Sequence, residues 1–413
     1  MNQVKRRIWI VSFYTTSPQY DSHLRHQRFL QNLTEKGYDV TIVNGSYMHA
    51  KNIDFMDRPG KYQERMYDGM KYIHIKTVKY HSNGLKRMFA IFQFAFRLLQ
   101  LRNRFERPDV IIHNAHVPFD VLVYRVARKL KAKYICEVWD LWPESFVSFG
   151  LVGKNNVLLK WAYALEKRLY RKADHIIFTM EGGMDYILEK KWEDAVDLNK
   201  VTYINNGVDL AAFDSDRERY QLDDPDLKDP EMIRIVYLGA IRLANDLKAL
   251  MDAAALLKKH KKIRFLIYGD GTERASLVSY CAANGIDNVL FKEKWISLNE
   301  VPYVLSCSYV NIFNFKQNNM QRFGSSSGKL FQYLASGKPI CSNQVIRFDP
   351  ILDYQLGVAA TFRTAEDYAD AILSLVQMDA TKYAEMGERA RQVASSYDYK
   401  VLTERLVTVL ETV

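Results

Sequence analysis

The sequence predicts an α/β protein built from two doubly wound parallel sheets, one in each half of the chain. Three observations carry that prediction. Unbroken apolar runs alternate with helical patterns from residue 8 to residue 204. The same alternation resumes at residue 233, in different residues. Between the two stands Asn205-Asn206-Gly207, a strong turn signal. Strands that are apolar along their whole length are covered on both faces, as in a parallel sheet between helices.

In the first half, strands are expected at 8–13, 40–43, 109–112, 133–138, 175–178 and 201–204, with helices at 22–36 and 120–130. The domain boundary is placed near residue 212, giving a first domain of 1–212 and a second of 213–395. The acidic stretch 214–231 reads as a linker or surface excursion. Strands of the second half fall at 233–238, 264–268, 289–291, 309–315 and 339–342. The last segment, 396–413, carries Leu402, Leu406, Leu410 and Val413 at helical spacing, a stripe that needs a surface to cover.

Composition narrows the class. Hydrophobic residues at 48% and charged residues at 26% are globular proportions, which excludes a disordered, collagen-like or membrane-embedded chain. No run approaches the roughly 20 apolar residues of a spanning helix. The basic start, Met1 to Arg7, precedes an apolar run too short for a signal peptide. Cys136, Cys281, Cys307 and Cys341 lie far apart without metal-ligand spacing, so free thiols in a reducing cytosol are expected. A net charge of +10 suits nucleic acid, anionic lipid or a phosphorylated ligand without choosing among them. The basic residues are scattered and no recognition module is visible, which argues against nucleic acid.

Residues 323–330, Phe-Gly-Ser-Ser-Ser-Gly-Lys-Leu, follow a strand and open a helix that Gly337 and Pro339 end. Small residues let a ligand approach the backbone, and first-turn N–H groups attract phosphate. Lys329 in that turn opposes the helix dipole unless an anion docks there. A P-loop is rejected, because only three residues separate the glycines and Leu330 stands where a hydroxyl is required. Gly269-Asp270-Gly271 and Gly239-Ala240-Ile241-Arg242 mark two further strand tips of the same half. Arg242 is there either a bidentate phosphate ligand or an ordinary surface residue. In the first half, Asp140 and Glu144 flank a strand tip, either as paired carboxylates for acid/base work or, for Asp140, as a helix cap. His23, His26, His113 and His116 fall near other tips without metal spacing.

These blocks together resemble the GT-B-fold glycosyltransferases of family 4, the retaining nucleotide-sugar enzymes. The likeness runs nearly end to end and looks closest to the bacterial capsule and O-antigen branch that includes L-fucosamine transferases. It rests on Arg25 to Val43, Pro108 to Ile111, Asp140-Leu141-Trp142-Pro143-Glu144-Ser145, Asn205 to Asp209 with Phe213, Gly269-Asp270-Gly271, and Lys329 to Pro339. The resemblance implies two Rossmann-like domains facing across a cleft, with the C-terminal helix crossing back to the first. It implies that the first domain holds the acceptor through His23, Arg25, His116 and Trp139. The donor would lie in the second domain, near Gly239, Gly269, Trp295 and Gln332. Arg242, Lys329 and the amides of Ser325, Ser326 and Ser327 would neutralise the departing diphosphate, with Asp140 and Glu144 completing the catalytic set. That chemistry needs no metal and no cofactor beyond the sugar nucleotide, expected to be a UDP-sugar.

Three departures from the family pattern are visible. Gly324 and Gln332 replace the two glutamates of E-x7-E, Trp139 stands where a His often precedes Asp140, and Ser17 to Ser22 replaces a glycine-rich loop. The expected function is therefore hexosyl transfer to a glycan or lipid-linked acceptor in cell-surface polysaccharide synthesis. The alternative is a weakened sugar-nucleotide-binding or partner subunit of a glycan-assembly complex. Residues 86–104, read as a helix, put Lys86, Gln93, Arg97, Gln100 and Arg104 on one stripe and an apolar face elsewhere. That face either packs on the first domain or lies at an anionic membrane surface. The expected location is the cytoplasm, peripheral at the inner face of the cytoplasmic membrane.

Overall fold

The computed structural model describes residues 6–21, 24–82, 84–115, 118–148, 150–153 and 155–413. The chain divides into two compact units, Met1–Asn205 with Tyr399–Val413, and Asn206–Asp398.

The first unit holds an eight-stranded sheet. Its strands are β1 (Arg7–Val11), β2 (Asp39–Gly45), β3 (Tyr62–Tyr67), β4 (Met70–Ile75), β5 (Val110–Asn114), β6 (Lys133–Val138), β7 (His175–Phe178) and β8 (Val201–Tyr203). Their order is β8-β7-β6-β5-β1-β2-β4-β3, and every pairing is parallel except the β3–β4 hairpin. The sequence reading missed that hairpin. Its signal was Asp68-Gly69, both at positive φ (49° and 78°), which is the turn chemistry that two-residue hairpins demand. Ile8, Ile10, Ile42, Ile112 and Ile135 are buried in one core with Leu402, Leu406 and Leu410. The C-terminal stripe thus covers the first sheet, and Asn32 donates to Thr403 at 3.1 Å to fix the helix Tyr399–Thr412 there.

The second unit is a six-stranded sheet, parallel throughout: β9 (Ile233–Leu238), β10 (Ile263–Tyr268), β11 (Val289–Phe291), β12 (Val310–Phe313), β13 (Ile340–Ser342) and β14 (Gly357–Ala359). The order β11-β10-β9-β12-β13-β14 puts the topological switch between β9 and β12. The division of the chain falls at Asn205/Asn206 rather than near residue 212. Phe213 explains the difference, since it is buried in the second unit's core and takes its helix, Leu210–Arg219, with it. The acidic stretch is likewise no linker. Buried Asp224 accepts from Tyr268 Oη at 2.7 Å and from Lys292 Nζ at 2.8 Å, which anchors the stretch to β10.

The segment 86–104 forms the helix Leu85–Leu101 with a turn of 3₁₀ helix behind it, rotated from the expected orientation. Gln93 accepts from Val78 N–H at 2.8 Å and Arg97 donates to Lys76 O at 2.5 Å, so these polar residues point inward. They satisfy the Val78 N–H and the Lys76 carbonyl of the chain leaving β4. Ala90, Phe94, Ala95 and Leu98 are buried beside them, while Phe89, Phe92 and Phe96 face out.

Leu406→Ala empties a fully enclosed site between the last helix and the first sheet. It should cost about 2–5 kcal/mol in urea unfolding. The same change at exposed Val401 should stay within about 0.5 kcal/mol.

Candidate functional site

The second unit brings three of its predicted blocks to one point. The loops after β9 and β10 are pressed backbone to backbone: Gly239 N–H donates to Tyr268 O at 3.0 Å and Ile241 N–H to Asp270 O at 2.9 Å. A Cβ on Gly269 would collide with Gly239 O, and one on Gly271 with Ile241 O. These glycines are there for close packing of the two loops. Gly239 itself, at φ 145°, leaves room for Lys329, whose Nζ and Cε a Cβ would strike.

Lys329 arrives from the helix Gly328–Ala335 that follows β12. Its ammonium donates to Tyr237 Oη at 3.2 Å and lies 4.8 Å from the centre of that ring and 5.7 Å from that of Phe315. Among the described residues no carboxylate lies within ion-pair distance of it. Burial pushes the ammonium down to about 8. Among the described residues no side chain caps the helix, and Ser327 N–H donates to Ser325 Oγ at 3.3 Å. A half-buried cation beneath that helix start has the chemistry to receive an anion.

Around this point the other residues are less closely drawn. Ser326 O accepts from Asn206 Nδ2 at 2.6 Å, a contact the sequence reading did not foresee. Gly324 stands at φ 89°, where a side chain would be strained, so the backbone itself is set for glycine at the first E-x7-E position. Gln332 is half-buried on the same helix. Arg242 is exposed at the tip of the β9 loop, and Trp295 is exposed behind β11.

In the first unit the paired-carboxylate expectation separates into two residues with different surroundings. Asp140 is exposed beyond β6. Glu144 turns inward, accepts from Tyr163 Oη at 2.5 Å and pairs with Lys190. Its first-turn position on the helix Glu144–Ser148 faces the neighbouring helices, so it braces the fold instead of joining Asp140. Arg25 is likewise a brace: fully buried, it pairs with Glu137 at 2.9 Å and donates to the Ile204 and Asn205 carbonyls. Burial pushes the Glu137 carboxyl upward, but Arg25 and His26 outweigh it and hold the group at about 2. Trp139 is half-buried, and its indole N–H donates to the same carboxylate at 2.8 Å. His23 and His116 lie outside the described residues. The residues missed at this edge are Tyr14 and Arg87, 2.6 Å apart. Burial raises the Tyr14 phenol, Arg87 pulls it back, and the Asp140 charge pushes it up.

Two doubly wound units, one of them a parallel sheet with a lysine and glycines gathered at its switch point, have the GT-B fold. Residues 27–212 match the model described as Glycosyltransferase Family 4, and residues 233–378 match that described as Glycosyl transferases group 1. Each half of the chain thus matches a glycosyltransferase family model. It is 23% identical over 193 residues to the probable glycosyltransferase WbjE of Pseudomonas aeruginosa, covering 46% of each chain. Its identity to the alpha-D-kanosaminyltransferase of Streptomyces kanamyceticus is also 23%, over 61% of this chain and 63% of that one. The chain thus spans about half to under two thirds of the length of these curated relatives. In fold it is similar to HepE of Anabaena, solved in complex with UDP and glucose, with a TM-score of 0.69 and 13% identity over 99% of this chain and 100% of that one.

Lys329→Met tests whether the ammonium is held at a cost. The folded state lowers its pKa and the unfolded chain does not, so the penalty is complete below about 8 and fades as pH rises toward the ordinary lysine value. At neutral pH the unligated variant should melt about 3–6 °C higher than the parent. The gap should shrink as pH rises from 8 to 10.

Proposed function

We propose that the protein is a retaining hexosyltransferase that moves a sugar from a UDP-sugar to a lipid-linked glycan acceptor in cell-surface polysaccharide synthesis. The branch with L-fucosamine transferases is its expected place, and its working position is the cytoplasm at the inner face of the membrane. One observation carries the reading: Lys329 is a half-buried cation with a phenol hydroxyl but no carboxylate beside it among the described residues. The family 4 and group 1 matches support transfer, and the UDP bound by HepE supports that base.

In this scheme the donor's diphosphate lies over the first turn of Gly328–Ala335 with its charge toward Lys329. When the bond from anomeric carbon to phosphate oxygen breaks, negative charge builds on the diphosphate. Lys329 and the first-turn N–H groups are already in place, so no solvent need reorganise. Arg242, exposed at the loop tip, closes on the outer phosphate. These cations take the part a metal would otherwise play. Asp140 is the exposed carboxylate of the first unit and is assigned to the acceptor hydroxyl or the reacting sugar.

A second reading, a binding or partner subunit, is favoured by Gly324, whose backbone excludes the first glutamate of the family pair. Single-turnover assay with labelled sugar nucleotides separates the two: transfer or hydrolysis supports the enzyme, tight binding alone the subunit.

Among UDP, GDP, ADP and CMP, UDP should give the largest rise in melting temperature. Lys329→Ala should raise the nucleotide Kd about tenfold or more, since a charged hydrogen bond contributes roughly 1.5–3 kcal/mol. An unchanged Kd would remove Lys329 from the site. Asp140→Asn should keep donor affinity and lose turnover; full transfer rate in that variant would leave Asp140 as a cap.

A further inference from the structure

Three helices of the first unit lie side by side, Leu85–Leu101 against Asp120–Leu130 and the latter against Val157–Lys172. Together they carry eleven Lys and Arg and only two carboxylates. Both carboxylates are buried and engaged. Asp120 faces His113 at 3.7 Å, and Glu166 accepts from Tyr170 and Tyr186 at 2.8 Å each. The net charge of the whole chain is +10, so this one layer accounts for nearly all of it. The helix Ala380–Ser395 shows the contrast, with Glu385 and Arg389 paired on its surface.

A groove of about 110 Å³ runs between the second and third helices. Val121, Leu165 and Leu169 form its apolar lining, and Arg125, Arg168 and Lys172 its cationic lining. Arg125 and Arg168 are exposed and pair with no carboxylate among the described residues. Apolar side chains stand out on both flanks. Phe89, Phe92 and Phe96 form a ladder on one side, and the Phe92 ring sits 5.5 Å from that of Phe119, next to the groove residue Pro118. On the other side Val157, Leu158 and Trp161 are 77%, 74% and 54% exposed. Leu158, Trp161, Leu165, Arg168 and Lys172 follow one helix face, apolar at its start and cationic at its end.

We propose that this layer is the protein's contact with an anionic bilayer, and that the groove receives an anionic phospholipid headgroup, its phosphate between Arg125, Arg168 and Lys172. Long basic side chains keep their charge in the headgroup zone while Phe92, Phe96 and Trp161 enter the boundary below it. Nucleic acid would satisfy the cations but leaves the aliphatic Leu85, Val157 and Leu158 in water. The proposal deepens the membrane placement given above and is independent of sugar transfer.

The test uses full-length protein in flotation with phosphatidylcholine vesicles, with and without phosphatidylglycerol, at low salt. The parent should bind only the anionic vesicles. Arg125→Gln with Arg168→Gln should weaken that binding about tenfold or more, at unchanged melting temperature and unchanged nucleotide-induced shift. Phe92→Ser with Phe96→Ser should weaken it as well. Parent-like binding by the arginine double variant overturns the groove while leaving membrane contact through the phenylalanines. Absence of parent binding, or tighter binding to single-stranded RNA than to vesicles, overturns the whole proposal. In each case the nucleotide-induced shift reports separately on the donor site.

Discussion

An ammonium group withdrawn from water without a carboxylate is unfavourable, and the second unit is arranged to keep one. Lys329 reaches its place only because Gly239 has no side chain, and the Gly239 loop keeps its path only because Gly269 and Gly271 let the neighbouring loop touch it. Tyr237 contributes the hydroxyl that makes the site tolerable, while its own O–H is directed to Ala240 O at 2.6 Å. The strand order fixes where all of this happens. Only at a switch point do the tips of β9 and β12 part and leave room for a helix start between them.

The first unit solves the opposite problem. It buries charge in matched groups: Glu137 is surrounded by Arg25, His26 and the Trp139 indole, and His26 reaches Thr15 Oγ1 at 2.7 Å through its other nitrogen. Such a network holds the tips of β1 and β6 and the helix Arg25–Glu35 in register. Breaking one member would strand the others in a dry interior. The residues a sequence-based argument gave to the acceptor are therefore partly the frame around the edge where an acceptor would sit.

The legible parts of this protein were those with a local cause. Unbroken apolar runs gave away the parallel strands, and Gly-Lys at a helix start marked the anion site, because both follow from residues near each other in the chain. The errors came from partners far apart. Nothing near Arg25 signals Glu137, more than a hundred positions on, and nothing near Glu144 signals Lys190. Gln93 and Arg97 look like a solvated stripe until the Lys76 carbonyl and the Val78 N–H are seen beside them. The hairpin β3–β4 is a different case: Asp68-Gly69 announced it, in a stretch passed over because its strands are polar on one face.

The chain leaves the first unit at Asn205 and re-enters it at Tyr399. Exit and return lie side by side, with Val208 N–H donating to Tyr397 O at 3.1 Å and Leu210 N–H to Asp398 Oδ2 at 3.1 Å. The second unit is thus an insertion in the first. On the ribosome, the face of the first sheet that Leu402, Leu406 and Leu410 will seal stays uncovered until the entire second unit has been made. The unit encoded first is finished last, and for the length of one domain's synthesis its apolar face lacks the helix that will cover it.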